Sequence, residues 1–418
     1  MQFQSRGSLL FAPLLALGLA AAGGVRAQDG AGLPVLAVSG FGTLGAAHSS
    51  EREADYTSSV MKVSGAGASR RWSADVDSRL GLQLDLAPGR RWSAVLQVVS
   101  EQGMDNSYRP RVEWANVKFQ ATPELALRAG RIAMPMFLAA EYRKVGYAYP
   151  WIRPPVETYG ALPFTSSDGI DASYRWSLGR MRNLSQVFYG HDEEALVPPL
   201  RAHLRHLVGL AHTGDWGNLS LRASVMRGEL TMAGIGRELF DAYDAFGAAG
   251  SALRGRYAVD HTRVEVASIG ANYDPGRWFL MAEASRTRST SLLIAATSVY
   301  ASAGWRQDAF TPYFTVAYVR APGRAADRGV PLAGLPDDGA RQAAALNAGL
   351  DMLLSTIPRQ VSFGAGLRWD WHPSSALKLQ FDRLTPHDGS RGTLINQTPG
   401  FRAGHAIHVA SVALDFVY

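Results

Sequence analysis

Short segments of alternating apolar and polar residues dominate the chain. Leu80, Leu82, Leu84 and Leu86 share one face, opposite Asp77, Arg79, Gln83 and Asp85. Ile170, Ala172, Tyr174 and Trp176 oppose Asp171, Ser173 and Arg175, and Val361, Phe363, Ala365, Leu367 and Trp369 oppose Ser362, Arg368 and Asp370. Leu377, Leu379 and Phe381 oppose Lys378, Gln380 and Asp382. The final stretch repeats the pattern, with Ala410, Val412, Leu414, Phe416 and Tyr418 on one face and Ser411 and Asp415 on the other. A period of two describes strands with one apolar and one wet face. The pattern predicts sixteen strands, near 35–46, 75–86, 92–101, 111–120, 124–131, 168–178, 183–190, 205–213, 218–226, 262–273, 278–288, 297–306, 310–320, 360–370, 376–384 and 405–418. A soluble sandwich satisfies the same alternation, so periodicity alone leaves the fold class open.

The links between these strands narrow the choice. They are expected to alternate strictly in length. Short turns such as 87–90, 215–217, 274–277 and 372–375 carry Pro, Gly, Asp and Ser in ordinary turn positions. Most of the others are long, among them 47–74, 132–167, 227–261, 321–359 and 385–404. Short turns on one side and long loops on the other describe a transmembrane β-barrel, with an even strand count and both termini on the short-turn side. Trp92, Trp176, Trp216, Trp278, Trp305, Trp369 and Trp371 all sit beside a short turn, where an interfacial aromatic girdle belongs. The expected fold class is therefore all-β, an antiparallel membrane barrel of about sixteen strands.

The two ends and the composition agree. Arg6, the apolar run Leu9–Ala22 and the small residues around Ala27 read as a secretory signal peptide over 1–27, leaving 28–418 as the barrel. After it, no run near 18 apolar residues occurs, so a membrane-spanning helix is not expected. A barrel is the remaining way to satisfy every backbone group in lipid. Removing Arg6 and Arg26 takes the formal charge from +6 to +4, too small and dispersed an excess to indicate nucleic acid. The chain has no cysteine, so a closed sheet or a large core must stabilise it without disulfides. The terminal strand resembles the closing strand of bacterial outer-membrane barrels, and the resemblance implies that Tyr418 and Phe416 are read by the barrel-assembly machinery.

Sixteen strands enclose a water-filled lumen. Along most of its length the chain resembles the Gram-negative porin superfamily. The likeness extends to Leu125–Arg131, which is similar to the fifth porin strand ending in Gly-Arg, here Gly130-Arg131, ahead of a pore-constricting loop. The resemblance implies a bacterial outer-membrane location, contact with outer-membrane lipid, passage of small hydrophilic solutes and ions, a homotrimer and no cofactor.

The loop that follows, 132–167, holds Tyr142, Tyr147, Tyr149, Trp151 and Tyr159 with Pro150, Pro154 and Pro155. Prolines fix backbone angles, and packed rings resist water, as a loop inside a lumen requires. Its charges, Arg131, Glu141, Arg143, Lys144, Arg153 and Glu157, are the expected constriction residues. Four are basic and two acidic, predicting a mild preference for anions. An outward surface loop is the alternative. On the wall, Arg79, Lys118, Arg128, Arg175, Arg222, Arg368 and Lys378 balance Asp75, Asp77, Asp85, Asp171, Glu283, Asp370 and Asp382, so the wall predicts little selectivity.

Helices are expected near 338–355 and 238–249, inside long loops. His191, His203, His206 and His212 fall around the fourth long loop and the eighth strand, at a spacing that fits no metal motif. No serine stands in a nucleophile motif, so no enzyme is expected. A barrel enzyme acting on lipid or peptide is the runner-up reading.

Overall fold

The computed structural model describes residues 35–60, 62–161, 164–196 and 200–418; the expected signal segment and cleavage site lie outside the described residues. The strands are β1 Val35–Ser49, β2 Arg79–Ala87, β3 Trp92–Glu101, β4 Arg111–Gln120, β5 Leu125–Ala133, β6 Ser166–Leu178, β7 Met181–Ala195 and β8 Arg201–Trp216. The second half comprises β9 Leu219–Ala233, β10 Thr262–Tyr273, β11 Trp278–Ser289, β12 Ala296–Trp305, β13 Phe310–Arg320, β14 Arg359–His372, β15 Ser375–Pro386 and β16 Ile407–Val417. Each pairs antiparallel with its chain neighbour. β1 closes the wall by pairing with β16 from Phe41↔Val417 to Ser49↔Val409, while its first half pairs with β2. The result is a closed sixteen-stranded barrel.

The alternation places side chains as the pattern requires. Outward positions such as Leu80, Ile170, Phe363, Leu379 and Phe381 are exposed to the surroundings of the barrel, whereas Arg79, Asp171, Ser362, Lys378 and Ser411 on the opposite faces are buried inside it. The seven tryptophans of the short-turn rim are all exposed, and Trp369 stacks on Phe310 across adjacent strands.

Three expectations need correction. The second strand starts at Arg79 rather than 75, because Asp75 and Asp77 belong to the preceding loop: Asp75 accepts from Arg70 and Tyr108, and Asp77 from Arg153. The links do not alternate strictly in length. β7 runs to Ala195 and β8 starts at Arg201, so the fourth loop-side link is short, as is 290–295. A register shift between Arg205 and Val208, with His206 at φ 51°, breaks the alternation and hid the outer part of β8. His191, His203, His206 and His212 therefore lie on strands rather than around a long loop.

The loop helices are α1 Val156–Tyr159, α2 Ile235–Tyr243, α3 Gly247–Tyr257 and α4 Asp337–Leu354. The last three form a small cap with its own core of Phe240, Tyr243, Leu253, Tyr257, Leu350 and Leu354.

Candidate functional site

Residues 134–161 fold into the lumen. Met134 N donates to Thr165 O at 3.1 Å, pinching the base of the loop. From there Met134, Met136, Phe137, Tyr149, Trp151, Tyr159 and Phe164 pack against inward side chains of the wall, Phe188, Leu204, Leu207, Val266, Phe279, Met281, Tyr300 and Tyr313 among them. These wall positions are apolar where a water-filled lumen would favour polar groups. Burying one large apolar side chain stabilises by roughly 1.5–3 kcal/mol, so this contact holds the loop inside.

Polar anchors fix its path. Lys378 Nζ, fully buried, donates to the carbonyls of Gly146, Tyr149 and Trp151 at 2.7 Å each and pairs with Asp415 at 2.8 Å. Arg368 donates to the carbonyls of Tyr147 and Tyr149. Ser224 and Ser268 hold the Met136 carbonyl, and Trp151 Nε1 donates to Ser302 and Thr315 at 2.9 and 3.0 Å. Glu283 accepts from Tyr159 Oη at 2.6 Å and from Leu138 N at 2.9 Å. At Gly146 the loop backbone comes so close to β1 and β16 that a Cβ would lie 2.2 Å from Asp415 Oδ1 and 2.5 Å from Thr43 Oγ1.

Arg153 and Glu157, expected at the constriction, are instead buried between loop and wall. Arg153 makes a two-pronged contact to Asp77 at 2.7 and 2.5 Å and reaches Ser411, Tyr56 and, at 3.4 Å, Asp382. Burial opposes ionisation of Asp77, yet the Arg153 guanidinium holds its carboxyl below the usual range. Glu157 accepts from Gln360 at 2.6 Å and Ser362 at 2.5 Å. Arg368, Lys378 and Asp382 face inward as expected, but the loop covers them. Asp77 is likewise a covered anchor.

Water reaches the inner wall elsewhere. On β2 to β6, Asp85, Lys118 and Arg128 are partly exposed and Arg175 is exposed. Arg128 pairs with Asp171 at 2.7 Å, its own side chain 28% exposed. The loop faces this space with 141–145. Glu141, 42% exposed, pairs with Arg222 at 2.8 Å. Arg143 donates to Tyr159 O at 2.9 Å, and its carbonyl accepts from Arg79. Lys144 pairs with Glu101 at the end of β3. Arg131, two residues before the end of β5, pairs with Asp168 at 2.8 Å and Asp192 at 3.0 Å.

Lys62 and Glu101 were not anticipated. Lys62 Nζ donates to the Asp75 carbonyl at 2.7 Å, and burial pushes its ammonium down to about 8 against the pull of Glu101. It sits in a loop without periodicity, so no sequence signal marks it. Glu101 is in phase with inward-facing Gln97, and that parity could have found it. One Ser–His pair, Ser185 Oγ and His212 Nδ1 at 3.0 Å, lies on the outward face beside Trp176, and among the described residues His212 has no carboxylate partner. No group of three His or acidic residues placed to hold a metal occurs among the described residues.

No family model matches the chain, and no curated protein matches its sequence. Solved structures do match. The anion-selective porin from Comamonas acidovorans is 12% identical with a TM-score of 0.55, over 92% of this chain and 100% of that one. OmpF of Salmonella typhi, in complex with daunomycin, is 12% identical with a TM-score of 0.53, over 92% and 97%. The outer membrane channel DcaP of Acinetobacter baumannii is 12% identical with a TM-score of 0.53, over 92% and 98%. At such identities the likeness establishes the fold: this is a porin-like barrel.

Proposed function

We propose that the protein is an outer-membrane channel through which small hydrophilic solutes and ions diffuse passively, with a mild preference for anions. The observation that carries this reading is the contrast inside the barrel. A loop is pinned across the lumen, yet Arg128, Arg175 and Glu141 beside it remain accessible to water. A barrel filled by its own side chains would leave no such residues. The girdle of exposed tryptophans and the outward apolar stripe support insertion in a bilayer. The porin fold of an anion-selective neighbour supports the direction of selectivity.

The accessible charges account for the anion preference. Lys62, Lys118, Arg128, Arg131, Arg143, Lys144 and Arg175 stand against Asp85, Glu101, Glu113, Glu141, Asp168 and Glu194 along the open wall and the base of the loop, an excess of one positive charge that makes the preference mild. Fields inside a low-dielectric wall are focused on the ions that pass. A signal peptide over 1–27, recognition of Tyr418 and Phe416 by the barrel-assembly machinery and a homotrimer complete the proposal. The mass of the protein–detergent complex tests the homotrimer. Purified protein in a planar bilayer should give stepwise conductance and a reversal potential in a salt gradient that favours the anion. A membrane that stays silent with folded protein would refute the channel.

A further inference from the structure

Near the short-turn ends of β4, β5 and β6, register sets two cations face to face. Lys118 on β4 stands directly opposite Arg128 on β5, and Arg128 stands opposite Asp171 on β6. The strand pleat turns all three inward, away from the exposed Val117, Leu127 and Ile170. Arg175, two inward positions farther along β6, completes the group.

Like charges directly opposite one another on neighbouring strands repel. Arg128 has a partner, with Asp171 Oδ2 at 2.7 Å from its Nη2. That oxygen is already engaged a second time, accepting from Gln186 at 3.2 Å. Among the described residues, Lys118 and Arg175 make no ion pair within 4.0 Å. The charges that act on the Lys118 ammonium are Arg175 and Arg128, both positive. Asp85 on β2 is turned to Gln83, whose amide it accepts at 2.8 Å, and Glu124 in the turn before β5 accepts from Thr122 at 2.9 Å. Three cations against one carboxylate leave a net +2 on a stretch of inner wall that water reaches. Lys118 makes no side-chain hydrogen bond among the described residues, so the fold gains nothing visible from the repulsion.

The spacing selects the ligand. Directly opposed residues have Cβ atoms about 4.5–5.5 Å apart, so the heads of Lys118 and Arg128 can meet on a single group. A guanidinium offers paired donors that fit a phosphate-type oxyanion, and an ammonium adds a compact charge. A net +2 is matched by two negative charges, both on one tetrahedral centre rather than at the two ends of a carbon chain. We propose that Lys118, Arg128 and Arg175 form a subsite for a doubly charged phosphate group, carried by inorganic phosphate or by a phosphate ester, inside the lumen. The subsite deepens the channel reading and rests on it, but its test reads binding rather than current.

Full-length protein folded in detergent is dialysed to equilibrium against radiolabelled inorganic phosphate at pH 8, where the dianion dominates, with sulfate, glycerol 3-phosphate or succinate as competitor. The wild type should retain phosphate and release it to sulfate, with succinate competing about tenfold less well. Lys118→Gln should weaken retention about tenfold or more, Lys118→Arg by less than about threefold, and Arg90→Gln at the short turn should change nothing. Arg175→Gln should weaken retention as well, should Lys118→Gln not fold. Phosphate should raise the urea midpoint of the wild type but not of Lys118→Gln, which sheds a repulsion and so unfolds no more easily than the wild type in anion-free buffer. Glycerol 3-phosphate competing as well as phosphate assigns the subsite to esters, and weaker competition assigns it to the free ion. No retention by the folded wild type, equal retention by Lys118→Gln, or equal competition by succinate would overturn the proposal. Retention with a silent bilayer would refute conduction alone, and conduction without retention would refute the subsite alone.

Discussion

The two halves of the inner wall follow one alternation and use it differently. On β9 to β16 the inward polar side chains Ser224, Ser268, Glu283, Ser302, Gln360, Arg368, Lys378 and Ser411 bond the inserted loop. On β2 to β6 the inward Asp85, Lys118, Arg128 and Arg175 keep contact with water. Inward-facing is thus not the same as pore-lining. A loop can convert half of a polar wall into a buried interface, and the charges there serve attachment rather than selectivity.

Breaking the covered half should have the largest effects. Arg153→Met strands Asp77 without its partner in a buried site, a loss of about 3–5 kcal/mol, and should free the loop. Single-channel recordings should show larger, noisier openings, and the urea midpoint should fall. Trp151→Ala empties the contact with Tyr300 and costs about 3–5 kcal/mol in the same unfolding assay. Were either variant to leave both conductance and stability unchanged, the loop would not be held as described.

The open half should respond in selectivity and not in stability. Neutralising Lys118 and Arg175 together should move the reversal potential toward cations, with the unfolding free energy changed by less than about 0.5 kcal/mol. The smallest effect concerns Lys62. Its ammonium titrates near 8, lowered from the usual lysine range, so the charge is present below that pH and lost above it. Anion preference should therefore decline between pH 7 and 9 in the wild type and less steeply in Lys62→Met.

The barrel was legible because its physics is local. Strands 92–101, 111–120, 262–273 and 310–320 have the ends that alternation predicts. The outer ends of β7 and β8 were not, since Leu204 and Leu207 face the loop while His206 bends the chain at positive φ, and both erase the period. The loop's position was suggested by its prolines and rings, but its partners were hidden. Arg153 finds Asp77 across 76 residues and Asp382 across 229, and no local pattern encodes such pairs. Charge counting consequently placed Arg153 and Glu157 at the constriction, although burial assigns them to the interface.

Because the chain has no native cysteine, single cysteines report access directly. Arg175→Cys on the open wall and Ser302→Cys beneath Trp151 can be compared in a planar bilayer during addition of a charged thiol reagent. The account predicts a stepwise fall in current for Arg175→Cys and none for Ser302→Cys. Equal block of both variants, or block of Ser302→Cys alone, would contradict it.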